Sequence, residues 1–534
     1  MRLIILCILV APALVLTSFC AAINGVAVIP QPSVLTPAEG VFTFKPDTAI
    51  LTDPASRLSA QMLSRALGAA TGYDLNISPG KAAKDNAILL VTDPALGRLG
   101  DEGYLLEVTP RRVVIRAPKP AGVFYGTQSL GQLLPPAAYS PSVRRGVIWQ
   151  VPCLKIEDSP RFSWRGAQVD VARHFMPKAG LYRFIDSMAM LKLNVLQFHF
   201  TDDQGWRIEI RKYPRLTEVG GVRRETRLGH EREKKGFDGT PHRGYYSQDD
   251  LRDIVAYAGE RFITIIPEIE MPGHAQAAIA AYPELGNTTG KIEVSGVWGI
   301  HNHVFNVEEK TILFLQDVLA ELLELFPSKF IHVGGDEVRK DEWKASPAAQ
   351  ARMKELGLKN ENELQSYFIR RMDQFLTSKG RRLVGWDEIL EGGLAPGATV
   401  MSWRGIKGGI EAARAGHDVV MTPTDFTYLD YYQSKDPREP LAIGGFLPLE
   451  KVYSFEPVPG EFTPAEAKRV LGTQGQIWTE YIPTVHHLEY MAFPRLAALA
   501  EVAWTPAAQR DYAQFTGRLR VAEQRWRILG VNFR

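Results

Sequence analysis

Two adjacent carboxylates, Asp336 and Glu337, follow the segment Phe330-Ile331-His332-Val333-Gly334-Gly335. An apolar lead of this length reads as a buried β-strand. The two glycines remove side chains where a ligand approaches the backbone closely. Carboxylates presented at such a strand end suit proton transfer; the structural alternative is an Asp-Glu pair capping the following helix. Neighbours on one strand end are poorly placed to flank a scissile bond, as two-carboxylate glycoside hydrolysis requires. A hydrolytic role therefore divides the work: Glu337 protonates a leaving oxygen, and Asp336 does something other than attack.

Chemistry-bearing residues also end the other strand-like runs from Arg165 onward. Arg173-His174 follow Gln168–Val171, Asp202-Asp203 follow the run 195–201, and His274 follows the run 262–269. Trp386-Asp387-Glu388 close Leu383–Trp386, and Trp403-Arg404 close Thr399–Trp403. Tyr428 and Asp430 come shortly after Val419–Thr422, and Trp478-Thr479-Glu480 close Gly475–Trp478. Tryptophans interleaved with carboxylates make a sugar-site composition. Pyranose C–H faces pack on indoles, and hydroxyls take directional, charge-strengthened hydrogen bonds.

These runs define the scaffold. Eight strand candidates alternate with helix-length amphipathic stretches, such as the stripe Ile312, Leu315, Leu319, Leu322 and Phe326. Eight β-then-α units over about 340 residues predict an α/β fold, a (β/α)8 TIM barrel with its site at the C-terminal strand ends. A doubly wound sheet usually stops at fewer strands. The basic-rich loop 223–243 holds seven Lys/Arg and four Asp/Glu, which predicts a solvated insertion, with a substrate rim as the lesser reading. Histidines 301 and 303 fall in a loop before a helix and are expected at the rim.

Residues 23–150 form a smaller α+β unit, with a hairpin joining Tyr104–Val108 to Arg112–Arg116 and helices over 55–70 and 121–134. The Pro-rich stretch 135–160 reads as the linker, and 151–534 as the barrel with a C-terminal helix. At the start, Arg2, the apolar run 3–16 and the small residues Cys20-Ala21-Ala22 fit a signal peptide over 1–22, hence an exported, periplasmic or secreted protein; lipid anchoring at Cys20 is the lesser reading. Of three cysteines only Cys153 follows a cut after Ala22, so no internal disulfide is expected. A net charge of +2 over 534 residues gives no reason to expect nucleic acid as a partner. The single apolar run is short for an integral membrane span.

The motif His332-Val333-Gly334-Gly335-Asp336-Glu337 resembles the signature of glycoside hydrolase family 20, the β-N-acetylhexosaminidases. Asp170-Val171-Ala172-Arg173-His174-Phe175, Asp202-Asp203-Gln204-Gly205-Trp206-Arg207 and Met271-Pro272-Gly273-His274 resemble further family motifs. So do Gly385-Trp386-Asp387-Glu388, Tyr428-Leu429-Asp430 and Trp478-Thr479-Glu480. The resemblance covers residues 150–505, roughly the whole barrel.

It implies an exo-acting enzyme that removes terminal β-linked GlcNAc or GalNAc with retention, the 2-acetamido oxygen of the substrate being the nucleophile. It also implies no metal or other cofactor. Glu337 is then the acid and later the base, and Asp336 holds the acetamido N–H. Tyr428 donates to the acetamido oxygen, while Trp386, Trp403 and Trp478 form the pocket. Arg173 and Glu480 bind outer hydroxyls, Asp430 lies near O6, and Asp202 and His274 support Glu337. Ala275-Gln276 departs from the Thr-Asn common in relatives. Two alternatives stand beside this reading: a metal-dependent barrel hydrolase drawing on His174, His199, His274, Asp202 and Asp336, and a carbohydrate-binding protein with a degenerate site. For His199, in an apolar strand, a satisfied core histidine is the expected fate.

Overall fold

A computed structural model describes residues 26–82 and 84–534. The leader run and Cys20 lie outside the described residues. The chain forms two compact units: the first runs to Pro160 and takes in Ala508–Gly530, and the second comprises Arg161–Ala507 with Val531–Arg534.

In the first unit seven strands lie side by side in the order Val34–Thr43, Gln150–Asp158, Tyr104–Val108, Arg112–Ala117, Ala87–Thr92, Ala49–Thr52 and Ile77–Pro79. The hairpin pairs antiparallel, with Leu105 opposite Arg116 and Val108 opposite Val113. Helices Arg57–Thr71 and Pro120–Leu133 pack on this sheet.

Two boundaries differ from the sequence expectation. The stretch 135–160 is not merely a linker, because Gln150–Asp158 is an inner strand of the sheet. Val151, Cys153, Leu154 and Ile156 are buried there. Pro152 pairs only with Val41, beyond the last residue matched to the other neighbour at Leu154, so its missing N–H costs no ladder bond on that side. The terminal helix Tyr512–Leu529 belongs to this unit and not to the barrel. Its buried Arg525 donates to the carbonyls of Ala27 and Gln132, and Asp511 caps its start.

The second unit is a closed barrel of eight parallel strands: Trp164–Asp170, Val195–His199, Thr264–Glu268, Phe330–His332, Arg382–Trp386, Thr399–Ser402, Val419–Met421 and Val470–Gly475. The last closes on the first, with Gly472 opposite Trp164 and Gly475 opposite Ala167. The eighth strand ends at Gly475, where the sequence pattern has it begin, so Trp478 stands three residues beyond the strand on the loop. The predicted stripe is real: Ile312, Leu315, Leu319 and Leu322 are fully buried on the helix Glu309–Leu325.

The barrel interior is polar as well as apolar. Gln474 accepts from the Trp164 indole at 3.0 Å and donates to Gln197 at 2.7 Å, and Gln197 donates to Glu268 at 2.8 Å. This ladder leads from the middle of the barrel toward the strand ends, where the carboxylates collect.

Candidate active site

Gly334 and Gly335 leave the fourth strand with φ of +68° and +96°, a backbone that only glycine adopts without strain. A Cβ on Gly334 would lie 1.7 Å from Glu270 Oε2, so the strand end and this buried carboxyl touch with no room between them. The chain then presents Asp336, nearly buried, and Glu337, which itself has φ +49°. His274, on the loop after the third strand, is likewise left-handed at φ +48°. Strained non-glycine residues concentrate where the surrounding structure fixes a functional geometry.

The two strained residues face each other. His274 Nε2 lies 3.6 Å from Asp336 Oδ2 and 3.6 Å from Glu337 Oε2. Its Nδ1 lies 3.3 Å from both Asp202 and Asp203. Burial alone would favour the neutral ring, but these carboxylates raise the imidazole well above its ordinary value. Asp202 also takes Arg173 at 2.8 Å and His199 at 2.9 Å. Burial pushes the Asp202 carboxyl up, yet Arg173 and His274 hold it well below the usual range.

Beneath this lies a second layer. His199 bridges Glu268 at 2.8 Å and Asp202 at 2.9 Å, and those two charges outweigh burial to raise it to about 10. It is the satisfied core histidine expected, and it also reaches the cavity wall. Glu268 accepts from the Trp386 indole at 3.0 Å and contacts His332 at 2.9 Å. Glu270 is pushed well above the carboxylate range by burial, with Asp336 and Glu268 adding like charge, so it stays neutral.

All eleven residues singled out by sequence line one cavity of about 360 Å³. Trp386 is fixed in the barrel core, while Trp403 donates its indole N–H to Glu388 at 2.9 Å and stacks near Tyr428, with ring centroids 6.2 Å apart. Trp478 lies 5.8 Å from Trp386 and under the Arg173 guanidinium at 5.2 Å. Burial, with Asp430 adding, raises the Tyr428 phenol well above its ordinary value and keeps it a donor. Both carboxyl oxygens of Asp430, Oε2 of Glu480 and Oδ1 of Asp336 are buried with no partner among the described residues. Buried acceptors are normally paired, and the three residues that carry these four line one cavity.

Other strand-end residues do not line the cavity. His174 turns its Nδ1 to the Thr479 carbonyl. Asp387 and Arg404 pair with each other at 2.6 Å, and Asp203 supports His274 from behind. For loop 223–243 it is the lesser of the two sequence readings, a rim, that the structure supports. Loop 223–243 is not simply a solvated insertion: Arg223 is buried, and His230 and Glu231 line the cavity. The His230 ring stacks on Tyr481 at 5.3 Å, and Glu231 accepts from the Trp298 backbone at 3.3 Å. The repeat Glu268-Ile269-Glu270 carried a usable signal, since carboxylates in an apolar strand demand partners.

Among the described residues three groups bring metal-ligating atoms within 4.8 Å of one another: His199 with Glu268 and Glu270, Asp202 with Asp203 and His274, and His274 with Asp336 and Glu337. In the first two, the imidazoles already sit against carboxylates as hydrogen-bonded pairs, which a cation would have to displace.

The fold and lining thus define a (β/α)8-barrel protein whose strand ends enclose an acidic, tryptophan-walled pocket. Residues 162–507 match the glycosyl hydrolase family 20 catalytic domain, and residues 25–159 match domain 2 of that family. The chain belongs to glycosyl hydrolase family 20. It is 46% identical over 96% of its length to a β-hexosaminidase of Porphyromonas gingivalis, and 39% identical over 77% to one of Vibrio furnissii. It spans 64% and 66% of those two proteins. A mutant Streptomyces plicatus β-hexosaminidase in complex with its product, GlcNAc, superposes with a TM-score of 0.82 at 33% identity, covering 95% of this chain and 96% of that one.

Proposed function

We propose that the chain hydrolyses terminal, non-reducing β-linked N-acetylhexosamine from oligosaccharides or glycoconjugates, retaining configuration through attack by the substrate's own acetamido oxygen. The observation that carries this reading is the set of partnerless carboxyl oxygens on Asp336, Asp430 and Glu480, three residues that line one pocket together with three indoles. Sugar hydroxyls and an acetamido N–H are the donors such acceptors lack.

The stereochemical part rests on His274. Asp336 and Glu337 stand at equal distance from one imidazole nitrogen, so they share one side of the cavity. That placement supports a mechanism in which the two do not flank the sugar ring and the substrate supplies the nucleophile. Glu337 protonates the leaving oxygen and then activates water. Asp336 holds the acetamido N–H as positive charge develops on that group, and the Tyr428 phenol donates to its oxygen. Trp386, Trp403 and Trp478 pack on the ring and the acetamido methyl. Arg173, Glu480 and Asp430 take the outer hydroxyls, which makes the pocket read a chain end.

An aryl β-N-acetylglucosaminide should release its chromophore, and an aryl β-glucoside, lacking the acetamido group, should react at least a hundredfold more slowly. Glu337→Gln should lose roughly 10²- to 10⁴-fold in kcat with folding intact. Equal turnover of the two aryl glycosides would overturn the mechanism, and full activity in Glu337→Gln would overturn the assignment of the acid. Loss of activity after chelation would favour the metal-dependent alternative. We further propose export, on the apolar leader alone; localisation of a tagged full-length chain tests it. Among the described residues no helix is long and apolar enough to cross a membrane.

A further inference from the structure

The backbone ladder that holds the fourth strand stops just short of Asp336 and Glu337. Met271 N–H donates to the Val333 carbonyl at 3.2 Å, and Trp386 N–H to the Gly334 carbonyl at 2.9 Å. The next carbonyl, that of Gly335, takes a side chain instead: Gln365 Nε2–H donates to it at 2.7 Å. Beyond the two acids, the Val338 carbonyl accepts from Lys340 Nζ at 3.0 Å. Lys340 Nζ also donates to Gln365 Oε1, which joins the two side chains. One amide and one ammonium thus take the carbonyls on either side of the Asp336–Glu337 pair.

Gln365 stands on the helix Glu361–Ser378 and shares its buried face with Ile369 and Met372. An amide on such a face costs free energy unless both of its ends are hydrogen-bonded, and here both are. The same face meets the strand end a second time. A Cβ on Gly335 would lie 3.8 Å from Ile369 Cδ1, and 2.6 Å from Ile389 Cγ2 on the neighbouring turn. The helix therefore fixes Gly335 by its carbonyl and by close packing. Lys340 is half-buried, and both of its acceptors are neutral oxygens, to which a charged donor bonds more strongly than a neutral one. Between these anchors Glu337 holds its φ of +49°. A left-handed non-glycine residue persists only where its surroundings hold it. Relaxation of that backbone would move the Glu337 carboxyl from its place 3.6 Å from His274.

We propose that Gln365 and Lys340 are positioning residues that grip the Asp336–Glu337 turn from both ends and so hold Glu337 in reach of the leaving oxygen. This rests on the reading of Glu337 as the acid and adds the two groups that orient it. A pair with a merely structural role would lower stability and affect all substrates alike. A misplaced acid does not: p-nitrophenoxide departs with little help from a proton, whereas a sugar hydroxyl needs one. The experiment compares kcat/KM for the β-1,4-linked dimer of GlcNAc with kcat/KM for p-nitrophenyl β-N-acetylglucosaminide. It does so in the full chain and in Gln365→Glu, Gln365→Leu, Lys340→Met and Lys340→Arg. Gln365→Glu keeps the shape of the side chain and the acceptor for Lys340, but an ionised carboxylate has no hydrogen to give Gly335. In the first three variants the dimer-to-aryl ratio should fall by roughly tenfold, a fraction of what general acid catalysis supplies. Lys340→Arg, which still donates, should stay within about threefold of the wild type. The ratio cancels the amount of active enzyme, so a variant that folds poorly does not imitate the effect. A ratio unchanged in Gln365→Glu or in Lys340→Met overturns the role of that residue and leaves the activity standing. A wild-type chain that cleaves neither substrate overturns the activity, and the positioning role with it.

Discussion

Replacing Asp202 by Asn keeps the shape of the side chain and removes one charge from a point where three cationic groups meet. Arg173 lies 2.8 Å from the carboxylate, His199 2.9 Å and His274 3.3 Å, and Asp202 is 1% exposed. Removing one partner of a buried ion pair costs about 3–5 kcal/mol, because the remaining charge stays desolvated. The two imidazoles can shed a proton and recover part of that; the guanidinium cannot. Taking roughly 3 kcal/mol as the net loss, and 2–4 °C per kcal/mol for a large domain, the melting temperature should fall by about 6–12 °C. The kinetic consequence follows from His274. Its proton is held against burial chiefly by Asp202, so in the variant it should titrate within the pH 5–8 range where an ordinary imidazole does. Since its other nitrogen faces both Asp336 and Glu337, that titration should appear as a new step in the pH profile of kcat on an aryl β-N-acetylglucosaminide. At the optimum, kcat should drop by roughly 10- to 100-fold, the scale of losing a group that orients a reacting residue. Asp203→Asn is the control: it weakens a single 3.3 Å contact to His274 and leaves Arg173 and His199 paired. If Asp202→Asn melts and titrates like the wild type, the three-cation arrangement does not govern the site.

Gly334→Ala should cripple the site without touching a sugar. The left-handed backbone alone costs an alanine about 1–2 kcal/mol, and its methyl must displace Glu270, so circular dichroism melting should show that loss and kcat should fall with it. Acid should destabilise the barrel through His174, which burial and the Arg223 charge hold down to about 4. Because that value lies below the unfolded 6.5, its contribution is complete above pH 6.5 and is lost as pH falls toward 4, by roughly 3 kcal/mol in all. Urea unfolding at pH 7 and pH 5 measures the slope, and His174→Gln should flatten it; an unchanged slope would place the acid sensitivity elsewhere.

The barrel was legible because its signals repeat: eight short apolar runs, each followed by polar residues, leave few architectures open. The cavity-lining residues at strand ends were legible for the same reason, since the end of a strand is a position that sequence spacing locates to within a few residues. What spacing could not reach was the partner set. Arg404 and Asp387 stand at strand ends with the rest, yet they satisfy each other outside the cavity; nothing in their order distinguishes them from Trp403 or Asp430. The rim was hidden for a different reason. Loop 223–243 looks solvated because it is charged, and only folding shows that Arg223 spends its guanidinium on the Arg173 carbonyl and Thr226, while His230 packs flat on Tyr481. Tyr481 lies more than two hundred residues from His230 in sequence. The strand Gln150–Asp158 was obscured by Pro152, whose tolerance depends on which neighbour lies opposite.

The arrangement of charge accounts for the left-handed backbone of two residues at the site, His274 and Glu337. Around Glu337 the carboxylates of Asp202 and Glu268 are each matched to cationic groups, while burial pushes the Glu270 carboxyl toward its neutral form. Were Glu270 ionised, it would sit against Gly334 and repel Asp336 from below; neutral, it lets the strand end pass closely enough to bring Asp336 and Glu337 onto His274. That approach needs a sharp turn, which Gly334 and Gly335 make without strain and Glu337 completes with it. His274 needs the same left-handed backbone to meet them from the neighbouring loop. A non-glycine residue in this conformation costs about 1–2 kcal/mol, and the buried ion pairs behind His274 are what hold it there. The structure therefore fixes both carboxylates, Asp336 and Glu337, against one imidazole, that of His274.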